Sequence, residues 1–201
     1  MKPFILGITG GIGAGKTAAT DHFVELGIEV VDADVVARAI VQPNQPALTQ
    51  IIDCFGPQVL LPTGELNRSA LRELIFSDEK AKQQLNQIMH PAIRNELLLQ
   101  LNQAKSKYVI LSAPLLFENN LQTYVDKVLV IDVPESLQIK RASKRDTVDT
   151  NQIQAIIDSQ INRQQRRNNA DFIIPNDGSL DDLKQKVETL HHELLHLTSI
   201  N

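Results

Sequence analysis

Two hydrophobic periods alternate along the chain and outline its fold. Five short runs are apolar almost throughout and close on glycine, proline or a polar residue: Phe4 to Thr9, Glu29 to Asp32, Tyr108 to Leu111, Val128 to Asp132 and Phe172 to Ile174. Runs of this length, bounded by turn residues, read as buried strands. Between them the spacing changes to three and four. Ala19, Phe23 and Leu26 share one side of a segment from Lys16 to Leu26, and Ala33 to Val41 reads as a short helix. Ser136 to Arg145 and Gln152 to Asn168 read as one helix each, and Leu183, Val187, Leu190 and Leu194 form the apolar stripe of a closing helix from Leu180 to Leu197. Strands alternating with helices of this kind predict a parallel sheet covered on both faces, a three-layer α/β fold with five strands.

One stretch departs from this alternation. Residues 43–106 keep helical periodicity, carry turn signals at Pro43-Asn44 and Pro62-Thr63-Gly64, and contain no convincing strand. They read as a helical insertion. The expected organisation is a single chain with a core of about 1–42, 107–135 and 170–201, an insertion over about 43–106 and a lid region over about 136–169.

Composition narrows the function classes. The chain has 201 residues, 42% hydrophobic and 22% charged, which is the balance of a soluble globular protein. Its net charge of −4 argues against a surface built to bind nucleic acid, so any anion site must be local. No apolar stretch approaches the roughly 20 residues needed to span a bilayer, and the opening apolar run is short for a signal peptide. The expectation is a cytoplasmic protein without membrane or nucleic-acid partners, acting as a monomer or small homo-oligomer. Cys54 is the only cysteine, which excludes an internal disulfide; beside Ile51, Ile52 and Phe55 it is expected to be a small core residue.

The sharpest chemical signal lies between the first strand and the first helix. Gly10-Gly11-Ile12-Gly13-Ala14-Gly15-Lys16-Thr17 fits the pattern G-x-x-x-x-G-K-S/T. Glycines let successive backbone N–H groups turn toward phosphate oxygens, and the helix N-terminus adds about half an elementary positive charge at the same point. Lys16 would reach the β- and γ-phosphates of a nucleoside triphosphate, and the Thr17 hydroxyl would ligate Mg²⁺. The loop does not say what becomes of the γ-phosphate. The Asn-Lys-x-Asp motif of GTPases is absent, and the strand from Tyr108 runs into Ser112-Ala113-Pro114 where a motor ATPase would carry Asp-Glu. A kinase would need an acceptor site and a cationic lid.

Asp32 and Asp34 close the second strand. Strand alternation would place both carboxylates on one side of the sheet's carboxyl edge, where ligands of open α/β sheets bind. Either could orient an acceptor hydroxyl, take its proton or hold Mg²⁺ through water, or one could cap the following helix. Arg141 and Arg145 are four apart on one helix, and Arg163, Arg166 and Arg167 recur on the next, with Lys144-Arg145-Asp146-Thr147 as a polar hinge. Such helices could close over phosphates, or could be solvated faces paired with carboxylates. His90 precedes Pro91, which is expected to interrupt a helix there. His191, His192 and His196 are expected on a solvated face.

Seven segments, taken in order, resemble the dephospho-CoA kinase family. They are Thr9 to Thr17; Val31-Asp32-Ala33-Asp34 with Ala37-Arg38; Gly64-Glu65-Leu66-Asn67-Arg68; and His90-Pro91-Ala92-Ile93-Arg94. They continue with Pro114-Leu115-Leu116-Phe117-Glu118; Gln138-Ile139-Lys140-Arg141 with Arg145; and Ile174-Pro175-Asn176-Asp177-Gly178. Together they cover residues 4 to about 178. The resemblance implies a P-loop kinase fold, ATP as phosphoryl donor, Mg²⁺, and the ribose 3′-hydroxyl of dephospho-CoA as acceptor. It implies Asp34 as catalytic base with Lys16 and Arg141 supporting transfer. It implies nucleotide contacts from Gly11, Ile12, Gly13, Ala14, Gly15, Lys16, Thr17, Arg141, Arg145 and Asn176, the last at the adenine. Acceptor contacts are implied for Asp34, His90, Arg94, Leu116 and Glu118. Ala14 and Thr17 stand where the family often has Ser, and both keep the needed N–H or hydroxyl. Ser112-Ala113 before Pro114 is less typical and leaves open which group there faces the metal. Rival readings are a P-loop kinase acting on a nucleoside or nucleotide, and a non-catalytic nucleotide switch.

Overall fold

Strands β1 (Ile5–Thr9), β2 (Glu29–Asp32), β3 (Val109–Ser112), β4 (Lys127–Asp132) and β5 (Phe172–Pro175) pair in parallel in the order β2-β3-β1-β4-β5. The computed structural model describes residues 3–76, 78–146 and 149–200. Within it the chain divides into two units, Met1–Asp32 with Leu101–Asn201, and Ala33–Gln100.

The first unit holds the whole sheet. β1 lies at its centre and is buried along its full length, which is why its sequence shows no polar alternation. In-register pairing makes Asp32 and Ser112 lateral partners and sets Ser112 beside Ile8, so that β1 ends one residue further along, at Thr9. Read across the sheet, the strand ends are Asp32, Ser112, Thr9 and Asp132, with Asp132 two residues beyond the partner of Thr9. Helices α1 (Lys16–Glu25) and α9 (Leu180–Ile200) pack against each other, and Phe23, Leu183, Val187, Leu190 and Leu194 close a core with Leu6, Ile8, Ile110, Leu129 and Ile131. Each of the larger side chains contributes about 1.5–3 kcal/mol on burial. Tyr108 is fully buried, edge-on to Phe23, with its hydroxyl 2.8 Å from His191 Nδ1. His191 is therefore a buried partner rather than part of a solvated face.

Three more helices complete this unit: α6 (Glu135–Asp146), α7 (Thr150–Ser159) and α8 (Arg163–Asn168). The single helix expected over residues 152–168 is broken. Asn162 caps α8 by accepting from Gln165 N at 2.8 Å, Ile161 N donates to Glu118 Oε1 at 2.9 Å, and Arg166 Nη2 donates to Ile161 O at 2.9 Å. Side chains satisfy the backbone groups at the break, so the chain can leave the helix without orphaned polar atoms. The hinge expected at residues 144–147 ends at Thr147, outside the described residues.

The second unit is helical, with α2 (Ala33–Ala39), α3 (Pro46–Phe55), α4 (Arg68–Phe76) and most of α5 (Glu79–Gln103). An isolated antiparallel bridge joins Leu60 to Leu66 around the Thr63-Gly64 turn. Ala47, Leu48 and Ile51 form the buried face of α3, and Cys54 in its last turn is exposed, not a core residue. Nor does Pro91 interrupt the chain. It removes one N–H from a helix of 25 residues, a local loss that the remaining ladder absorbs.

Candidate active site

The connection from β1 to α1 lines its concavity with backbone rather than side chains. Gly13 and Gly15 have φ of +70° and +91°, the left-handed region that is unfavourable for residues with a Cβ. Space forbids a side chain as well. A Cβ would lie 2.7 Å from the carbonyl oxygen of Gln138 at Gly13, and 2.2 Å from Asn176 Nδ2 at Gly15. The start of α1 has no side-chain cap, which leaves its first N–H groups available to an anion.

Asn176 braces this loop from behind. It is buried, its Nδ2 donates to Ala14 O at 2.7 Å, its N–H donates to Asp132 O at 2.8 Å, and its carbonyl accepts from Arg141 Nη1 at 2.8 Å. Gln138, also buried, donates Nε2 to Val133 O at 3.3 Å and backs Gly11. Among the residues carried by the family motif, Gly11, Ile12, Gly13, Ala14, Gly15, Asn176 and Arg141 thus form one connected construction.

Lys16 leaves the loop at the first turn of α1 and reaches the row of strand ends. Its Nζ donates to Ser112 Oγ at 2.6 Å and lies 3.5 Å from Asp32 Oδ2. Ser112 Oγ in turn donates to Asp32 Oδ2 at 2.8 Å. The register of β2 against β3 makes this possible, since Asp32 and Ser112 are lateral partners. Thr17, the next residue, is exposed.

Asp34 is placed differently from the strand-based expectation. β2 ends at Asp32 and α2 begins at Ala33, so the period of two stops before Asp34, which is exposed in the first turn of α2. There its negative charge favours the helix N-terminus. His90 and Arg94 are both exposed on α5, four apart and so on one face. Arg145 is exposed near the end of α6. Leu116 is fully buried, and a Cβ on Gly7 would come within 3.2 Å of its Cδ2, so it packs the interior where an acceptor contact was expected. Glu118 spends Oε1 on the break between α7 and α8.

The arginines of α8 converge on one carboxylate. Arg163 donates Nε and Nη2 to the two oxygens of Asp132, each at 2.8 Å, and Arg167 Nη1 donates to Asp132 Oδ2. Burial alone would raise the Asp132 pKa, but hydrogen bonds and charge from the two guanidiniums outweigh it and hold the carboxyl below the ordinary carboxylate value. Arg166 is buried beneath them. A cavity of about 570 Å³ lined by Glu135, Asn162, Arg163, Gln164 and Arg167 adjoins the pair. Asp132 and Gln138 carry no expected role in the sequence, although Gln138 lies in one of the family segments. The signal for Asp132 was present, because it closes an apolar strand as Asp32 does.

A glycine loop between a central strand and a helix, a lysine at the carboxyl edge and an arginine-bearing segment beyond define a P-loop phosphotransferase. The dephospho-CoA kinase family model matches residues 4–182. A dephospho-CoA kinase of Idiomarina loihiensis is 50% identical over 195 residues, 97% of this chain and 96% of that one. One of Shewanella oneidensis is 48% identical over 198 residues, covering 98% and 97%. The solved dephospho-CoA kinase of Campylobacter jejuni has a TM-score of 0.72 at 30% identity, covering 96% of this chain and 97% of its own. The chain belongs to the dephospho-CoA kinase family.

Proposed function

We infer that this protein transfers the γ-phosphoryl of ATP to the ribose 3′-hydroxyl of dephospho-CoA, giving coenzyme A and ADP, the last step of coenzyme A biosynthesis. The observation that carries this reading is the glycine loop with Lys16 held at Ser112 and Asp32, in a chain that matches this family along nearly its full length.

In this reading the N–H groups from Gly11 to Thr17 receive the phosphate oxygens. Lys16 moves from Ser112 onto the β- and γ-phosphates and offsets the charge that grows during transfer. Arg141 and Arg145 serve the nucleotide from α6, and Asn176 meets the adenine from the strand edge. Asp34 orients the acceptor hydroxyl and takes its proton, while His90 and Arg94 hold the acceptor, Arg94 against its pyrophosphate. Glu118 acts indirectly, by fixing the turn between α7 and α8.

Mg²⁺ fits the residues present. Among the described residues no group of three His, Cys, Asp or Glu could hold a metal. A hard cation that draws most of its oxygens from phosphates and water needs only a hydroxyl or carboxylate from the protein, and Thr17 would supply the hydroxyl. Bound there, the ion neutralises phosphate charge. We place the reaction in the cytoplasm, with a monomer or small homo-oligomer. No helix among the described residues is long and apolar enough to cross a membrane.

Mass spectrometry after incubation with ATP, Mg²⁺ and dephospho-CoA should show a product heavier by one phosphoryl group. Nucleosides and nucleotides should remain unmodified. ADP release without an added acceptor, or phosphorylation of a nucleotide in its place, would overturn the reading. Asp34→Asn should keep ATP affinity and lose roughly 10²–10⁴-fold in kcat, the usual worth of general base help. Asp32→Asn should lose less. Near-parental turnover by Asp34→Asn beside an inactive Asp32→Asn would move the base to Asp32. Arg94→Ala and His90→Ala should raise KM for dephospho-CoA well above any change in KM for ATP.

A further inference from the structure

We propose that Ser112 is a positioning residue, a hydroxyl spacer that keeps Lys16 from locking onto Asp32 before the nucleotide arrives. The proposal rests on the kinase reading only in taking ATP as the nucleotide that Lys16 receives.

The geometry is a three-membered chain. Lys16 Nζ to Ser112 Oγ is 2.6 Å, Ser112 Oγ to Asp32 Oδ2 is 2.8 Å, and Lys16 Nζ to Asp32 Oδ2 is 3.5 Å. Both short contacts go through the hydroxyl, which accepts from the ammonium and donates to the carboxylate. The ammonium and carboxylate stand beyond ordinary hydrogen-bond length from each other. Ser112 is fully buried and held by β-ladders on both sides, so its Oγ is a fixed point, whereas the ammonium sits at the end of a flexible four-carbon stem.

Two states of Lys16 follow. Before nucleotide binding, the ammonium is aimed at the strand edge by a neutral acceptor. When phosphates arrive it gives up a hydrogen bond to a hydroxyl, and Asp32 keeps the hydroxyl donor it already had. Without the hydroxyl, the Lys16 ammonium would lose its short acceptor, and Asp32 Oδ2, 3.5 Å away, would draw it into direct contact. A direct pair in this half-buried place is stronger than one drawn through a spacer, and ATP would have to break it. Ser112 thereby lowers the cost of transferring Lys16 from the protein to the phosphates.

The test measures ATP affinity in the absence of acceptor. Ser112→Ala should raise the Kd for ATP about tenfold, equivalent to about 1.4 kcal/mol. Raising ionic strength should shrink the difference, because the competing pair is ionic. Ser112→Thr, which keeps the hydroxyl, should bind ATP like the parent. In an Asp32→Asn background, where no direct ion pair can form, Ser112→Ala should change the Kd by less than about twofold. Several results would overturn the proposal. They are an unchanged or tighter Kd in Ser112→Ala, equal damage from Thr and Ala, and an undiminished Ala effect beside Asp32→Asn, which would mean that Ser112 contacts the nucleotide itself. Thermal melts of each variant separate these outcomes from loss of fold. Parental protein that binds ATP but phosphorylates no dephospho-CoA would sink the proposed function and leave the spacer standing.

Discussion

The phosphate loop and the α7–α8 segment both manage charge, but with different parts of the chain. In the loop the working groups are backbone N–H donors, pinned by Gly13 and Gly15 in left-handed conformations and walled by Gln138 and Asn176. On α8 they are the guanidiniums of Arg163 and Arg167, on long stems and gathered on the single carboxylate of Asp132. A backbone donor cannot be retuned by exchanging a side chain, so the loop can only be kept or wrecked. A guanidinium can trade one anion for another, so the arginine segment can be adjusted. Damage near the loop should therefore appear in turnover with the fold intact. Damage at Asp132 should appear first in stability.

Between these two regions, the heavier loss of turnover should fall on Lys16. Its side chain serves a ligand and sits at the surface of the first unit's core, so Lys16→Ala should melt close to the parent. Turnover should fall by about 10²–10³-fold, the worth of one well-placed donor to a developing anion, about 3–4 kcal/mol. A folded Lys16→Ala protein with near-normal turnover would erase the distinction drawn above and the phosphate-loop argument with it.

Asp132→Asn should do the reverse. Asp132 is 4% exposed, and removing its charge leaves two guanidiniums facing an amide. Breaking a buried pair costs about 3–5 kcal/mol, but both arginines are over a third exposed, and solvent reduces this to about 2 kcal/mol. Chemical denaturation should register that loss while kcat changes by only a few-fold. The pH dependence has a definite sign. The folded carboxyl titrates below its ordinary value, so its stabilisation is present above the unfolded pKa and is lost only as pH falls through the folded one, below about 4. A loss already complete at pH 6 would mean that Asp132 is not the anchor of α8.

These same contrasts explain what could be read from the sequence. The five strands and the phosphate loop were legible because they are local: an apolar run bounded by turns, and glycines at fixed spacing before Lys16. Asp34 was misplaced because the two-residue period of a strand was carried past Asp32, where β2 stops and α2 begins at the next residue. The break before α8 was invisible because its stabilising partner, Glu118, lies 43 residues away in the chain. Leu116 shows the opposite failure. Its motif suggests an acceptor contact, yet the absence of a side chain at Gly7 lets it sink into the core. Long-range partners settled the last two, and a one-dimensional pattern does not carry them.

The mildest effect should arise at the amino edge of the sheet, away from the loop, at Tyr108 and His191. His191 Nδ1 lies 2.8 Å from the Tyr108 hydroxyl, and Tyr108 meets Phe23 on α1, the helix that carries Lys16. The neighbouring charged groups are His192 beside it and His22, which contacts Glu25 at 2.7 Å and Glu188 at 3.0 Å. Burial, and then the charges of His192 and His22, hold the His191 pKa below its ordinary value. The unfolded chain therefore takes up a proton here before the folded one does, and stability must fall as pH drops below about 6.5. Above that pH the group makes no difference. His191→Gln should flatten the acid side of a melting-temperature profile, because the amide can hydrogen-bond the Tyr108 hydroxyl but cannot be charged. Tyr108→Phe should cost about 1 kcal/mol at neutral pH, one hydrogen bond in a packed core. If the core that α1 packs on and the loop's chemistry are separable, both variants should keep the parental kcat and KM for ATP at pH 7.5. A large kinetic change in His191→Gln with an unaltered melt would show that the loop is tuned through α1, and that its rigidity is not a property of its backbone alone.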